Sequence, residues 1–153
     1  MEEGKKEKSL KREYSAGGVV HRLQNGNILW LVIKPHKTDR WQLPKGRIDG
    51  KESSKEAAKR EVEEEGGVEV EVINKIGEQK YFFVLGSQRI LKSVVFYLMK
   101  YKGKKKEGHD WEVDEVKFLP YDKAYKSLTF NNDKEILKKA KEILGKGVQE
   151  SLV

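Results

Sequence analysis

Four of the five residues from 61 to 65 are glutamates, and the surrounding stretch, residues 60–68, reads R-E-V-E-E-E-G-G-V. On a helix, side chains three and four positions apart share a face, so Glu61, Glu64 and Glu65 would be neighbours. Carboxylates this close repel one another unless a cation offsets their charge, and oxygen ligands suit Mg²⁺ or Mn²⁺. The pattern predicts a cation site for phosphate chemistry. The alternative is an acidic helix face exposed to solvent.

The residues before this stretch carry the signals that begin a helix. Ser53 can cap the first turn, and Glu56, three residues later, completes a capping box. Gly66 and Gly67 are typical of a helix end. An apolar stripe that can pack on a sheet is formed by Ala57, Ala58 and Val62. We therefore expect a helix that buries this stripe and presents its carboxylates elsewhere.

The rest of the chain alternates between predicted strands and turns. The predicted strands are residues 14–21, 28–33, 68–76, 80–85, 90–101 and 113–119. An Asn-Gly turn within residues 24–27 joins the first two strands, Gly86-Ser87 joins the fourth and fifth, and Pro44-Lys45-Gly46 is predicted to be a loop. Two helices, 121–128 and 133–144, close the chain, the second ending at Gly145. The order of elements favours a mixed sheet with helices packed on it.

The composition predicts one highly charged domain. We expect a flexible charged arm at residues 1–12, a single domain at 13–146 and a tail at 147–153. The net charge of +7, from 32 basic and 25 acidic residues, favours nucleotides, nucleic acids or phosphorylated molecules as partners. The chain has no cysteine, so disulfides and thiolate metal sites are excluded and a cytoplasmic location is expected. No apolar run approaches the roughly 20 residues of a membrane span.

The acidic stretch and two upstream residues resemble a known motif. Gly46, Glu52 and residues 60–68 are similar to the Nudix box, G-x5-E-x7-R-E-U-x-E-E-x-G-U, in which U is a bulky aliphatic residue. All nine specified positions match. Residues 16–20 (AGGVV) and 41–46 (WQLPKG) also resemble the first strand and the lead-in of that family.

The resemblance implies a Nudix-type α/β/α sandwich with a mixed central sheet, and hydrolysis of a phosphoanhydride bond in a nucleoside diphosphate-linked substrate. The implied cofactor is Mg²⁺ or Mn²⁺. Its implied ligands are Glu61, Glu64 and Glu65, joined by a backbone carbonyl near Lys45 or Gly46. The resemblance further implies that Arg60 and Glu52 orient these groups.

A general base is expected near the acidic helix. It is either a glutamate of the box or a carboxylate from a later loop. The later candidates are Glu107, Glu112 and Glu115, all in or beside the stretch EGHDWEVDEVKF. We select Glu112, although each of the three is also consistent with an ordinary surface charge.

Outside the box, the chain most resembles the Nudix hydrolases of diadenosine polyphosphates. Lys45, Arg47 and Arg40 are candidates to hold phosphates, with Lys92 a weaker one. Tyr81 or Phe83 can stack on an adenine. The alternative substrates are nucleoside triphosphates, ADP-ribose, inositol pyrophosphates and 5′-triphosphorylated RNA.

A function of another class, a non-catalytic domain that senses a nucleotide, also remains open. Such domains usually lose box glutamates, and this chain keeps all of them, which favours an enzyme. Nucleic acid is a possible partner but is not favoured, because no RNA-binding signature is present. A monomer or a homodimer is expected.

Overall fold

The computed structural model describes the backbone of residues 9–152 and the side chains of residues 9–147. The strands are β1 (Leu10–Gln24), β2 (Asn27–Pro35), β3 (Lys45–Arg47), β4 (Val68–Leu85), β5 (Gln88–Lys104) and β6 (Val113–Pro120). The helices are α1 (Ser54–Gly66), α2 (Tyr121–Ser127) and α3 (Asn131–Leu152). None of the described helices is long and apolar enough to cross a membrane.

The strands form a mixed sheet in the order β4-β5-β1-β2-β6, with β3 paired to β1. Strands β1 and β5 run parallel, and the other pairs run antiparallel. The turn between β1 and β2 places Asn25 and Gly26 at φ values of 53° and 81°, as the predicted Asn-Gly hairpin requires. The prediction of a mixed sheet is confirmed.

Helices cover both faces of this sheet. On one face, the stripe of α1 packs into a core cluster with residues of β1, β2, β4 and β5, among them Ala16, Val20, Leu31, Val68 and Met99. On the other face, α2 and α3 pack into a second cluster with Trp30, Phe96 and Leu98. The predicted α/β/α sandwich is therefore confirmed. Burial of these two apolar layers fixes α1, and with it the acidic stretch, against the middle of the sheet.

The structure corrects several predicted boundaries. Strand β1 begins at Leu10, so residues 10–12 lie in the sheet rather than in the predicted arm, whose residues 1–8 lie outside the described part. Residues 68–85 form one strand rather than two, because bulges absorb the breaks in alternation. Residues 45–47 form β3 against β1, so Lys45 and Gly46 of the predicted loop at residues 44–46 lie in a strand.

The end of the last helix was also predicted wrongly. Helix α3 continues through Gly145 and Gly147 to Leu152, so most of the predicted tail is helical. A glycine inside a helix costs only about 1 kcal/mol relative to alanine, which neighbouring turns can offset. Ile143 and Leu144, just before Gly145, pack against the core and hold this part of the helix.

Candidate active site

Helix α1 begins as the sequence predicts. The hydroxyl of Ser53 accepts a hydrogen bond from the Glu56 N–H, and the Glu56 carboxylate accepts one from the Ser53 N–H. Of the four clustered glutamates, Glu63 has a separate role, since its carboxylate accepts a hydrogen bond from the Val70 N–H of β4 at 3.0 Å. Glu63 thus ties the end of the helix to the sheet.

Of the remaining three glutamates, Glu61 and Glu65 lie against β3, and Glu64 contacts Arg60. The backbone N–H of Lys45 donates to Oε1 of Glu65 at 2.8 Å. Gly46 lies against the carboxylate of Glu61, where a β-carbon would overlap the carboxyl group. Because the sequence places glycine there, the backbone of β3 can pass directly over the helix.

Arg60 links the carboxylates of this cluster to those of the loop before α1. Its guanidinium donates to both carboxylate oxygens of Glu52, at 2.6 and 2.9 Å, and to Glu61 at 2.9 Å. It also contacts Glu64 at 3.4 Å and Asp49 at 3.4 Å. One planar cation therefore fixes carboxylates from both α1 and the preceding loop, the geometry to which arginine is suited.

Burial and crowding perturb the acids of this cluster. Desolvation raises the pKa of Glu65 to about 8; the Lys45 N–H opposes this shift, while the charges of Glu61, Glu112 and Asp110 add to it. Desolvation also raises the pKa of Glu61, against the hydrogen bond from Arg60. Burial and mutual repulsion thus disfavour the ionised forms of Glu61 and Glu65 while no cation is bound.

The pKa of Glu52 is shifted in the opposite direction. Its hydrogen bond from Arg60, helped by the Asp49 N–H, lowers the pKa of Glu52 to about 2. Glu52 therefore stays ionised and keeps Arg60 oriented toward the helix. Glu52 and Arg60 are thus paired, and the orienting roles expected of them stay a prediction.

Within the described residues, no three acidic, histidine or cysteine side chains already stand in the arrangement of a metal site. All three carboxylates make other contacts: Glu61 and Glu64 contact Arg60, and Glu65 accepts from the Lys45 N–H. The donor chemistry nevertheless fits a hard divalent cation, because two partly buried acids with raised pKa values and an exposed third one, Glu64, lie on one turn of α1.

The loop between β5 and β6 approaches the cluster. The Asp110 N–H donates to the Glu64 carbonyl at 2.9 Å, and the Glu112 N–H donates to Oδ1 of Asp110 at 2.6 Å. The charge of Glu112 contributes to the raised pKa of both Glu61 and Glu65. Of the three candidate bases, Glu112 is the one whose charge acts on the box. Glu115 instead pairs with Lys34 on β2 at 3.6 Å, and Glu107 is exposed in the loop.

Only some of the residues predicted to contact phosphates or a base lie close together in the structure. The Lys45 ammonium lies 5.4 Å from the centre of the Tyr81 ring. Burial raises the pKa of Tyr81, with a further contribution from Asp133. Phe83, the other candidate for base stacking, is exposed on the same strand. The side chain of Arg40 is exposed, and its N–H contacts Oγ1 of Thr38.

Two other cations lie near Lys45. The Arg47 side chain pairs with Glu13 at 2.8 Å, while its carbonyl accepts a hydrogen bond from Arg60. Burial lowers the pKa of Lys92, with contributions from the charges of Lys45 and Arg47. The structure therefore brings the charges of Lys45, Arg47 and Lys92 close to one another.

Two acidic residues of this region were missed at the level of sequence. Asp110 lies beside Glu65, and its signal was its place in the acidic stretch that also holds Glu112. Asp133, 1% exposed, accepts a hydrogen bond from the Leu43 N–H at 3.2 Å. Desolvation raises the pKa of Asp133, and the charge of Lys45 opposes this rise. An acid in the first turn of a helix is common, so sequence offered no reason to select it.

Comparisons with known proteins agree with this geometry. A family model described as the NUDIX domain matches residues 11–140. A Mycobacterium tuberculosis protein that carries the name mutator protein MutT4 is 31% identical over 140 residues, which is 88% of this chain and 56% of that protein. An 8-oxo-(d)GTP phosphatase of Mycolicibacterium smegmatis is 32% identical over 112 residues, 71% of this chain and 32% of that protein. The chain thus spans about half or less of these curated relatives.

Solved structures share the fold. An Ap4A hydrolase of C. elegans, crystallised as a binary complex, superposes with a TM-score of 0.71 at 23% identity, covering 87% of this chain and 98% of that one. The NUDIX domain of Shewanella oneidensis NrtR, crystallised with ADP ribose, gives a TM-score of 0.65 at 17% identity, covering 87% and 88%.

Proposed function

This chain belongs to the NUDIX domain family, and on that premise we propose that it hydrolyses a phosphoanhydride bond in a nucleotide substrate with the help of Mg²⁺ or Mn²⁺. The preferred substrate class is a dinucleoside polyphosphate, such as diadenosine tetraphosphate. The observation that carries the proposal is the crowding of Glu61, Glu64 and Glu65 on one turn of α1, with Glu61 and Glu65 against the backbone of β3.

In this proposal, Glu61, Glu64 and Glu65 hold the divalent ion, together with a carbonyl of Lys45 or Gly46. When bound, the ion offsets the charge of the phosphates and makes the attacking water more acidic. Arg60 and Glu52 act as positioning residues, because their hydrogen bonds fix the carboxylates of α1 without needing to touch substrate. Lys45 contributes twice, since its N–H orients Glu65 and its ammonium, which lies over the Tyr81 ring, is a phosphate contact.

Glu112 serves as the general base. Its carboxylate accepts a proton from the water that attacks phosphorus, while the bond from phosphorus to the leaving phosphate oxygen breaks in line with the attack. Asp110 holds the Glu112 N–H and so fixes the backbone from which Glu112 extends. The base thus comes from a loop that is itself hydrogen-bonded to α1.

Three neighbouring cations on the sheet, Lys45, Arg47 and Lys92, favour a substrate with a long phosphate chain. Lys45 and Arg47 are two residues apart on β3, so their side chains point to the same face of the sheet. Lys92 of β5 lies close enough to both for their charges to lower its pKa. Three cations in a row suit phosphates that extend beyond the acidic helix, and Tyr81, beside Lys45, is placed to stack on a base.

The second candidate function is hydrolysis of an oxidised purine nucleoside triphosphate. The observation in its favour is the identity of 31% and 32% to the two mycobacterial relatives, one of which is named for 8-oxo-(d)GTP. A triphosphate needs fewer cations and one base contact, which Tyr81 and Lys45 alone would supply. The two candidate substrates therefore differ in how many of the cations Lys45, Arg47 and Lys92 they would contact.

A substrate panel separates these candidates. The protein would be incubated with diadenosine tetraphosphate, 8-oxo-dGTP, ADP-ribose and a 5′-triphosphorylated oligoribonucleotide, with Mg²⁺ or Mn²⁺ and with EDTA as control. Products resolved from reactions in ¹⁸O-labelled water report both the substrate and the phosphorus attacked. We expect the highest kcat/KM for diadenosine tetraphosphate, yielding mononucleotides, and no turnover in EDTA. A clear preference for 8-oxo-dGTP would replace the first candidate with the second.

A further inference from the structure

Trp111 is a large aromatic residue that is 78% exposed in the loop beside the acidic cluster. Scattered exposed apolar residues are ordinary on soluble proteins, so exposure alone indicates nothing. Tryptophan is nevertheless enriched where proteins bind other molecules, because its rigid ring offers much contact area at little entropic cost. What matters is how the loop holds this ring and what lies next to it.

The backbone on both sides of Trp111 is fixed. The Asp110 N–H donates to the Glu64 carbonyl of α1 at 2.9 Å. The Glu112 carbonyl accepts a hydrogen bond from the His36 N–H, just beyond β2, at 2.7 Å. The exposed ring is therefore presented by a loop anchored to two elements, so fraying does not explain its exposure.

The Trp111 ring has one described aromatic neighbour, His36. The ring centres are 6.1 Å apart and the ring planes meet at 77°, an edge-to-face contact. His36 is held in turn by Asp114, whose carboxylate contacts Nδ1 of His36 at 2.7 Å. An edge-to-face contact engages at most one face of the indole, so at least one face is left for another flat group.

Trp111 and Tyr81 approach the acidic cluster from different elements. Trp111 directly precedes Glu112, whose charge acts on Glu61 and Glu65. Tyr81 belongs to β4 and lies beside Lys45, whose N–H holds Glu65. Trp111 lies two residues before β6, and β4 and β6 are the two outer strands in the sheet order, so the two rings come from opposite edges of the sheet.

We propose that the indole of Trp111 stacks on one nucleobase of the substrate, so that Trp111 and Tyr81 receive the two bases of a dinucleoside polyphosphate. This inference rests on the proposed function, because only a substrate with two bases uses both rings. Trp111 then determines specificity: it favours substrates with two nucleosides over those with the same phosphates and one.

The kinetic test compares two substrates with the same phosphate chain. Diadenosine tetraphosphate has two adenosines, and adenosine 5′-tetraphosphate has one. Loss of one stacked base is expected to lower kcat/KM of Trp111→Ala for the first by about 5- to 150-fold, mainly through KM. For the second, the change should stay within about twofold, and Trp111→Phe should recover most of the loss. Equal losses on both substrates, or none on the first, would overturn the inference.

A matched control removes another exposed apolar side chain. Leu23 is 72% exposed near the turn that ends β1, six residues and about 20 Å along the strand from Gly17 beside the site. Leu23→Ala should leave both substrates unaffected. Thermal melting of all three variants should match the wild type, because Trp111 contributes little buried area.

A binding measurement separates this inference from the proposed function. In EDTA, where turnover is not expected, diadenosine tetraphosphate should quench tryptophan fluorescence in the wild type, and Trp111→Phe should lack this quenching. Quenching with no hydrolysis on adding Mg²⁺ would support Trp111 as a base contact and contradict the proposed activity. Hydrolysis with identical fluorescence changes in wild type and Trp111→Phe would support the proposed activity and contradict Trp111 as a base contact.

Discussion

Gly46 and Glu61 are in direct contact between β3 and α1. A β-carbon built at position 46 would overlap the carboxyl carbon and both oxygens of Glu61. The position of this carboxylate therefore depends on the absence of a side chain on β3. The glycine required by the sequence motif thus has a steric reason in this chain.

Gly46→Ala should displace Glu61 and lower kcat/KM by about 100-fold, because a displacement of about an ångström at a catalytic group costs on that order. Gly50→Ala is the matched control: Gly50 lies in the following loop, where an added β-carbon meets no atom within 4 Å. Steady-state kinetics and thermal melting of both variants check the prediction. Equal activities in the two variants would show that the contact does not matter.

Arg60→Lys should weaken the cation site although it keeps the charge. A lysine ammonium cannot reproduce the paired hydrogen bonds to Glu52 while also reaching Glu61. We expect Mn²⁺ affinity, measured by electron paramagnetic resonance, to fall by about 10- to 100-fold, with a comparable loss of activity. Lys59→Arg changes the exposed neighbour on the same helix and should have no such effect.

Glu64→Gln and Glu65→Gln should each lower kcat by about 10³-fold or more, since each removes a charged ligand from the proposed ion. The fold should be retained or stabilised, because like-charge crowding is relieved. Glu63→Gln is the control within the same motif, as Glu63 bonds the Val70 N–H instead. Near wild-type turnover in the first two variants would mean that the cation site has been misassigned.

The metal-free protein should lose stability as pH rises from about 4.5 to about 8. The folded state raises the pKa of Glu65 to about 8 from its usual 4.5, so the folded chain binds the proton more tightly than the unfolded chain. The free energy of unfolding should therefore fall across this window, by on the order of 1.4 kcal/mol for each unit of pKa difference. Urea unfolding in EDTA measures it, and Glu65→Gln should flatten the profile. A rising profile in the wild type would contradict this assignment.

Glu112→Gln should lower kcat by about 10²- to 10⁴-fold with little change in KM, the range expected for loss of a general base. Glu115→Gln should not, because Glu115 pairs with Lys34 on β2, away from the box. If Glu115→Gln is the impaired variant, the base has been assigned to the wrong loop residue.

Local features of the site were predictable because they follow from a few neighbouring residues. Ser53 and Glu56 form the capping box, and helical periodicity alone puts Glu61, Glu64 and Glu65 on one turn. The prediction failed where contacts between distant parts of the chain determine the local structure. Strand β3 exists because residues 45–47 pair with residues 15–17, and Gly145 stays helical because neighbouring residues pack on the core.

The sequence by itself determined the family and the acidic helix, and it predicted a hard divalent cation for that helix. Only the tertiary structure decided which backbone group meets each acid: Lys45 to Glu65 across 20 residues, and Leu43 to Asp133 across 90. It also placed Asp110, Glu112 and Trp111 beside the helix through hydrogen bonds to Glu64 and His36. The physical reason is that periodicity and capping act within one or two turns, whereas contacts between distant segments depend on how the buried layers pack the whole chain.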